Sequence, residues 1–188
     1  MTVRGRMMWW AGLLLAAMPL RAEPAFYADL AIGLGVQTID SDTGGEDEDR
    51  AALTDVLKAG GGVQLTSFFS VGAALWMYGQ GASGDDDVAQ FDGVSAGVEA
   101  TAYLPLNYLF GSAEGPVVGP YVRYAHHCWA ATVVGITRPW DDDGCSPLVA
   151  AGFSFKAQRR ASLYAEYSRT EFDEITSGSI VAGLKTRF

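Results

Sequence analysis

The feature that leaves this chain the fewest folds is a period-two alternation of apolar with small or polar residues. It recurs from Phe26 to Phe188 and is broken only by turn-rich segments. A strand points successive side chains to opposite faces, so sustained alternation specifies an extended segment with two unlike faces. Eight such segments are predicted: Phe26–Ile39, Leu57–Thr66, Phe69–Tyr78, Val94–Leu106, Gly119–Ala131, Ser146–Lys156, Ala161–Arg169 and Ser177–Phe188. The fourth shows the pattern most plainly. Val94, Ala96, Val98, Ala100, Ala102 and Leu104 make one face, and Ser95, Gly97, Glu99, Thr101 and Tyr103 make the other. In the first, Leu30, Ile32, Leu34 and Val36 oppose Asp29, Ala31, Gly33 and Gly35. The Gly60-Gly61-Gly62 run falls in a strand, where glycine permits close packing or a bend.

One face is continuously apolar; the other mixes glycine and alanine with ionised groups and large aromatics. A soluble sandwich or lipocalin-like barrel buries the apolar face inside. A membrane barrel turns it out to lipid and keeps the polar face within. The connections discriminate between these. Residues 67–68 and 157–160 make short turns, whereas 40–56, 79–93, 132–145 and 170–176 are long and all fall on one side of an up-and-down barrel. Segment 107–118, on the short-turn side, is the exception. The four long segments hold 17 of the 22 acidic residues, while Lys156, Arg159, Arg160, Lys185 and Arg187 gather at the opposite end. Short turns on one side and long loops on the other are the asymmetry of barrels in a bacterial outer membrane, and a soluble barrel gives no reason for the charge polarity.

The N-terminus fits export. Arg4 and Arg6 precede an apolar run from Met7 to Leu20, and Leu20-Arg21-Ala22 offers a cut site, so residues 1–22 read as a cleaved signal peptide and 23–188 as one domain. Removing Arg4, Arg6 and Arg21 leaves 10 basic against 22 acidic residues, a net charge near −12. That balance excludes nucleic acid as a partner.

The C-terminus, Ile180-Val181-Ala182-Gly183-Leu184-Lys185-Thr186-Arg187-Phe188, resembles the C-terminal β-signal of outer-membrane proteins, with Ile180, Ala182, Leu184 and Phe188 matching and Thr186 departing from the usual aromatic. The resemblance implies recognition by the barrel-assembly machinery, with periplasmic chaperones upstream. With Tyr27-Ala28-Asp29-Leu30-Ala31-Ile32-Gly33-Leu34-Gly35 and Gly119-Pro120-Tyr121-Val122-Arg123-Tyr124, the whole mature chain resembles the small OmpA-like and OmpX-like barrels, including the outer membrane protein β-barrel domain group. The fold that this resemblance implies is all-β: an eight-stranded, antiparallel, up-and-down transmembrane barrel, integral to the outer membrane, monomeric, in contact with its lipid and lipopolysaccharide. Such families share a scaffold and no single activity.

Asp29, Glu99, Arg123, Glu166 and Lys185 all fall on the polar face. A cation facing lipid at mid-membrane costs about 2–4 kcal/mol, and buried charges need partners, so these five are expected to form a lumenal ion-pair network. Eight strands enclose room for side chains only, which favours a structural plug over a gated narrow pore. Cys128 and Cys145 bracket the third long connection with the parity of a cross-strand disulfide. His126 and Cys128 have the spacing of the His and Ser in outer-membrane lipid A deacylases, which they resemble in that respect alone. Cys128 stands for Ser, Trp129 for Asn, and no orienting group is identifiable. The acidic runs Glu46–Asp49, Asp85–Asp87 and Asp141–Asp143 suit a divalent cation by chemistry but lack EF-hand spacing, and no cofactor is expected. Three readings remain: a non-enzymatic barrel acting through its loops, a lipid-modifying barrel enzyme, and a soluble lipocalin-like binder.

Overall fold

A computed structural model describes residues 24–39, 50–80, 90–109, 116–134, 140–173 and 175–188. The proposed signal peptide with its boundary at residue 22, and the acidic runs Glu46–Asp49 and Asp85–Asp87, lie outside the described residues. Eight strands succeed one another in chain order: β1 (Ala25–Ile39), β2 (Arg50–Gln64), β3 (Phe69–Gln80), β4 (Gln90–Tyr103), β5 (Gly119–Val134), β6 (Trp140–Lys156), β7 (Ala161–Phe172) and β8 (Ile175–Arg187). A single helical turn, α1 (Leu106–Leu109), lies between β4 and β5. Each strand pairs antiparallel with its sequence neighbours and β8 pairs with β1, so the sheet closes. Along the span where all eight strands pair, closure leaves no template for sheet extension.

The strands run further at the long-connection end than the alternation predicted. β2 begins at Arg50, β4 at Gln90 and β6 at Trp140, while β5 continues to Val134 and β7 to Phe172. Asp55, Asp92, Asp141, Asp142, Asp143 and Glu171, expected in loops, therefore stand on strands. The reason is solvent. Crossing the membrane takes about 9–11 residues per strand, and whatever projects beyond faces water on its outer side. There a charged residue costs the ladder nothing, so acidity marks the membrane boundary and not the strand end.

The apolar face points outward. Leu30, Ile32, Leu34, Val98, Val122, Val149, Leu163 and Ile180 are exposed, Ile32 at 67%. Trp76, Lys58, Glu99, Arg123 and Glu166 are buried, Trp76 and Lys58 completely. Glycines make room for this interior at two close approaches. A Cβ at Gly60 would strike the Asp29 carboxylate, and one at Gly62 would strike the Val71 carbonyl and sit 2.8 Å from the Tyr27 hydroxyl.

Candidate functional site

The lumen is stacked in three levels. At its middle, five charged side chains from five strands form one chain. Lys58 Nζ lies 3.0 Å from Asp29 Oδ2 and 3.5 Å from Glu99 Oε2. Arg123 Nη1 lies 3.2 Å from the same Glu99 oxygen, and its Nη2 lies 3.2 Å from Glu166 Oε2. Tyr164 donates to Asp29 at 3.0 Å and Tyr121 to Glu166 at 2.9 Å, so both outer carboxylates gain a phenol as well as a cation. The Lys58 ammonium also lies 5.3 Å from the Trp76 ring centroid.

Lys58 is not among the five residues predicted for this network from the sequence. The signal was present: it shares the parity of Gln64, whose side of β2 faces the lumen. Lys185, in contrast, joins no ion pair among the described residues. Its Nζ donates to the Tyr103 hydroxyl at 2.6 Å and lies 3.5 Å from the Tyr27 ring centroid. The register explains the difference. Asp29 sits opposite Lys185 across β1 and β8, but its carboxylate is turned to Lys58 and Tyr164, so aromatic rings receive the second ammonium instead.

The acidic end of the lumen is apolar inside. Tyr78, Phe91, Trp129 and Phe172 pack edge to face or tilted with ring centroids 5.3–6.0 Å apart. Val56, Leu148 and Ile175 complete that plug. Below it Ser95 Oγ and His127 Nδ1 share a hydrogen bond of 3.2 Å, with the His127 ring tilted against Trp76.

At the opposite end, the described parts of the exceptional connection, residues 107–109 and 116–118, are tied to each other and to the barrel. Asn107, in α1, accepts from the Val118 amide at 2.9 Å and donates to the Pro116 carbonyl at 3.2 Å. Ser154 donates to the Val117 carbonyl at 2.9 Å, which holds the buried Val117 beneath the lumen. The chain re-enters the sheet at Gly119, whose φ of +145° suits glycine and whose missing Cβ avoids the Leu104 carbonyl. Residues 116–118 are thus held beneath the lumen by Asn107 and Ser154.

His126 and Cys128 face outward on β5, whereas His127 and Trp129 face the lumen. Cys128 stands directly opposite Cys145 on β6, and the two form a disulfide. Trp129 donates to Ser146 Oγ at 3.0 Å. Thr132 donates to Asp141 at 3.3 Å, and among the described residues no group of His, Cys, Asp and Glu converges on a metal position. On β8, Ile180, Ala182 and Leu184 face outward, and the exposed Phe188 is tied down by its amide, which donates to the Phe26 carbonyl at 2.9 Å.

Residues 10–188 match the family model described as the outer membrane protein beta-barrel domain. Among solved structures, Neisserial surface protein A is similar with a TM-score of 0.65 and 15% identity, covering 89% of this chain and 100% of that one. The N-terminal β-barrel domain of Pseudomonas aeruginosa OprF gives 0.53 and 12%, with 85% and 97% covered. Ail, the attachment invasion locus protein of Yersinia pestis, in complex with the heparin analogue sucrose octasulfate, gives 0.50 and 16%, with 87% and 99% covered. At such identities the likeness is one of fold. No curated protein matches the chain.

Proposed function

Because this chain belongs to the outer membrane protein β-barrel domain family and is an integral outer-membrane barrel, we propose that it works without catalysis, from its acidic external end. Its task would be surface interaction, adhesion or envelope integrity. The observation that carries this reading is the filled lumen: an aromatic plug at one end, a buried ion network in the middle and the buried Val117, held by Ser154, at the other. A barrel so filled has its work to do on the outside.

Orientation comes from charge. The acidic strand ends Asp92, Asp141, Asp143 and Glu171 face out from the long-connection side, and Lys156, Arg159 and Arg160 are exposed on the other. Long connections belong outside the cell. Ail was solved with a polyanion. An acidic external end would repel such a ligand, so the favoured partner here is a cationic surface, met through long-range attraction that salt screens. The barrel would act as a monomer, since closure leaves no strand edge to share within the membrane, and Ile180, Ala182, Leu184 and Phe188 would serve as its assembly signal to the barrel-assembly machinery and its chaperones. The lipid A deacylase alternative is disfavoured because the disulfide occupies the thiol that would have to attack. The outward apolar belt and the family set aside the soluble lipocalin-like alternative.

The test is a deletion strain complemented with the full chain or with a chain shortened between residues 40 and 49. Complemented cells should bind positively charged surfaces in low salt, and cells with the shortened chain should not, at equal membrane levels. An altered lipid A acylation pattern in the deletion strain, read by mass spectrometry, would replace this reading with the enzymatic one.

A further inference from the structure

Closure of the sheet stops short at the external end of one seam. The pairing of β6 with β7 ends at Leu148 and Thr170. β7 then turns back through Asp173, and its last residue, Phe172, pairs with Ile175 of β8. β6 instead continues from Pro147 to Trp140 with β5 as its partner on one side. On the other side nothing among the described residues pairs with it. The external ends of β5 and β6 therefore form a hairpin that stands clear of β7 with one open edge.

The contacts along this hairpin show which backbone groups reach that edge. In an antiparallel ladder a residue aims both its N–H and its C=O at one neighbouring strand, and the next residue aims both at the other. Thr170 on β7 donates its hydroxyl to the Pro147 carbonyl at 3.0 Å, so Pro147 aims at the β7 side. The Cα atoms of Cys128 and Cys145 lie 3.9 Å apart, the narrow spacing of a pair that exchanges no backbone bonds, so Cys145 aims the same way. The Asp143 amide donates to Oδ1 of Asp142 at 2.8 Å and not to a strand. Parity adds Asp141. Asp141 and Cys145 thus present an N–H and a C=O each to the open side. Asp143 presents a C=O, with its N–H covered by a carboxylate at the surface.

The charge on this edge has one sign. Asp141 and Asp143 are exposed on its outward face, with Asp142 between them. Pro147, which has no N–H, closes it on the membrane side. The Cys128–Cys145 disulfide holds the hairpin in its paired form, so an incoming chain finds the edge already ordered. An edge with free ladder groups is a template for a further strand. Carboxylates at alternate positions of its outward face favour a strand with basic residues at alternate positions, because opposite charges on neighbouring strands attract. Two copies of this edge would set acid against acid, so the same charges keep the barrel from pairing with itself.

We propose that the β6 edge from Asp141 to Cys145 receives, by strand addition, an extended basic segment of an external partner protein. This rests on the cationic partner proposed for the external end and gives it a place and a geometry. A basic side chain that draws off the Asp142 carboxylate frees the Asp143 amide for the new ladder.

The test uses the full chain folded in nanodiscs of zwitterionic lipid, in low salt, with short labelled peptides of equal length. One alternates lysine with valine. Another is the same peptide N-methylated on the backbone of each lysine, which keeps the charge and removes the ladder donors. The last alternates glutamate with valine. By fluorescence anisotropy the lysine peptide should bind about tenfold more tightly than its methylated form, through the backbone bonds that only it can make. The glutamate peptide should not bind. Amide exchange followed by NMR should slow at Asp141 and Cys145 when the lysine peptide is bound. Asp143→Pro, which removes an edge donor, should lose binding that Asp143→Asn keeps in greater part, and heat-modifiable migration shows that each variant is folded. Equal binding of the lysine peptide and its methylated form, or unchanged exchange at Asp141 and Cys145, overturns strand addition and leaves the cationic partner standing. No binding of the lysine peptide also overturns the proposal, and the cationic partner then stands or falls on the attachment of complemented cells to positively charged surfaces.

Discussion

The residues of the lumen differ sharply in what their removal should do, because some hold a charge chain together and others do not. Arg123 bridges Glu99 and Glu166, both buried. Arg123→Ala leaves two carboxylates short of a cation, and breaking a buried pair from one side costs about 3–5 kcal/mol. Lys58→Met, at the residue that joins Asp29 to Glu99, should be as damaging. Lys185→Met should stay within about 1 kcal/mol of wild type, because it deprives no carboxylate of a partner and methionine still packs on the Tyr27 ring. Urea unfolding from lipid vesicles, followed by tryptophan fluorescence, would rank the three. A Lys185→Met penalty equal to that of Arg123→Ala would contradict a network that runs through Lys58 and Arg123 alone. The plug gives a companion case: Phe172 touches Tyr78, Phe91 and Trp129, so Phe172→Ala should cost about 3–5 kcal/mol.

At the scale of elements, the β5–β6 hairpin is the one with a covalent tie. Cys128 and Cys145 stand 17 residues apart in sequence, and in the chain-entropy model a loop of that size is worth about 3 kcal/mol. Reduction, or a Cys128→Ser and Cys145→Ser pair, should lower the unfolding midpoint accordingly while the barrel still folds, since the ladder pairs the two strands from Gly119 through Val133. Gel migration with and without reductant, before and after heating, reads both effects. The elements also show what the sequence could and could not disclose. Strand number, face and order were legible because parity is a local signal that a closed sheet must obey everywhere. Strand ends were not, because a ladder continues past the membrane where composition alone resembles a loop, as at Asp141–Asp143. The place of Asp29, Glu99, Arg123 and Glu166 in the lumen was legible for the same reason as the faces. Which ammonium each carboxylate would choose was not. The choice of Lys58 over Lys185 by Asp29 depends on the tilt of side chains across the lumen, and alternation carries no record of that.

The whole molecule is a filled cylinder with unlike ends, and its electrical behaviour should reflect the filling. Planar bilayer recordings of wild type should show no steady conductance, and sustained channel openings would contradict the plug. The lumenal charges also have an order along the chain. Asp29 on β1 is followed by Lys58 on β2, Glu99 on β4 by Arg123 on β5, and Glu166 on β7 by Lys185 on β8. At mid-lumen each couple of neighbouring strands therefore brings one acid and one base, β3 and β6 place none there, and Arg187 follows on the same face of β8 nearer the chain's end. A barrel enters its membrane as a nascent sheet, and a strand couple that arrives neutral need not wait for a distant segment before it can leave water. The order of signs thus divides the chain into three electrically self-sufficient shipments. Reversing one charge would strand its couple at the threshold, so a variant such as Glu99→Lys should be recognised less by a weaker barrel than by unfolded chains left behind in the periplasm.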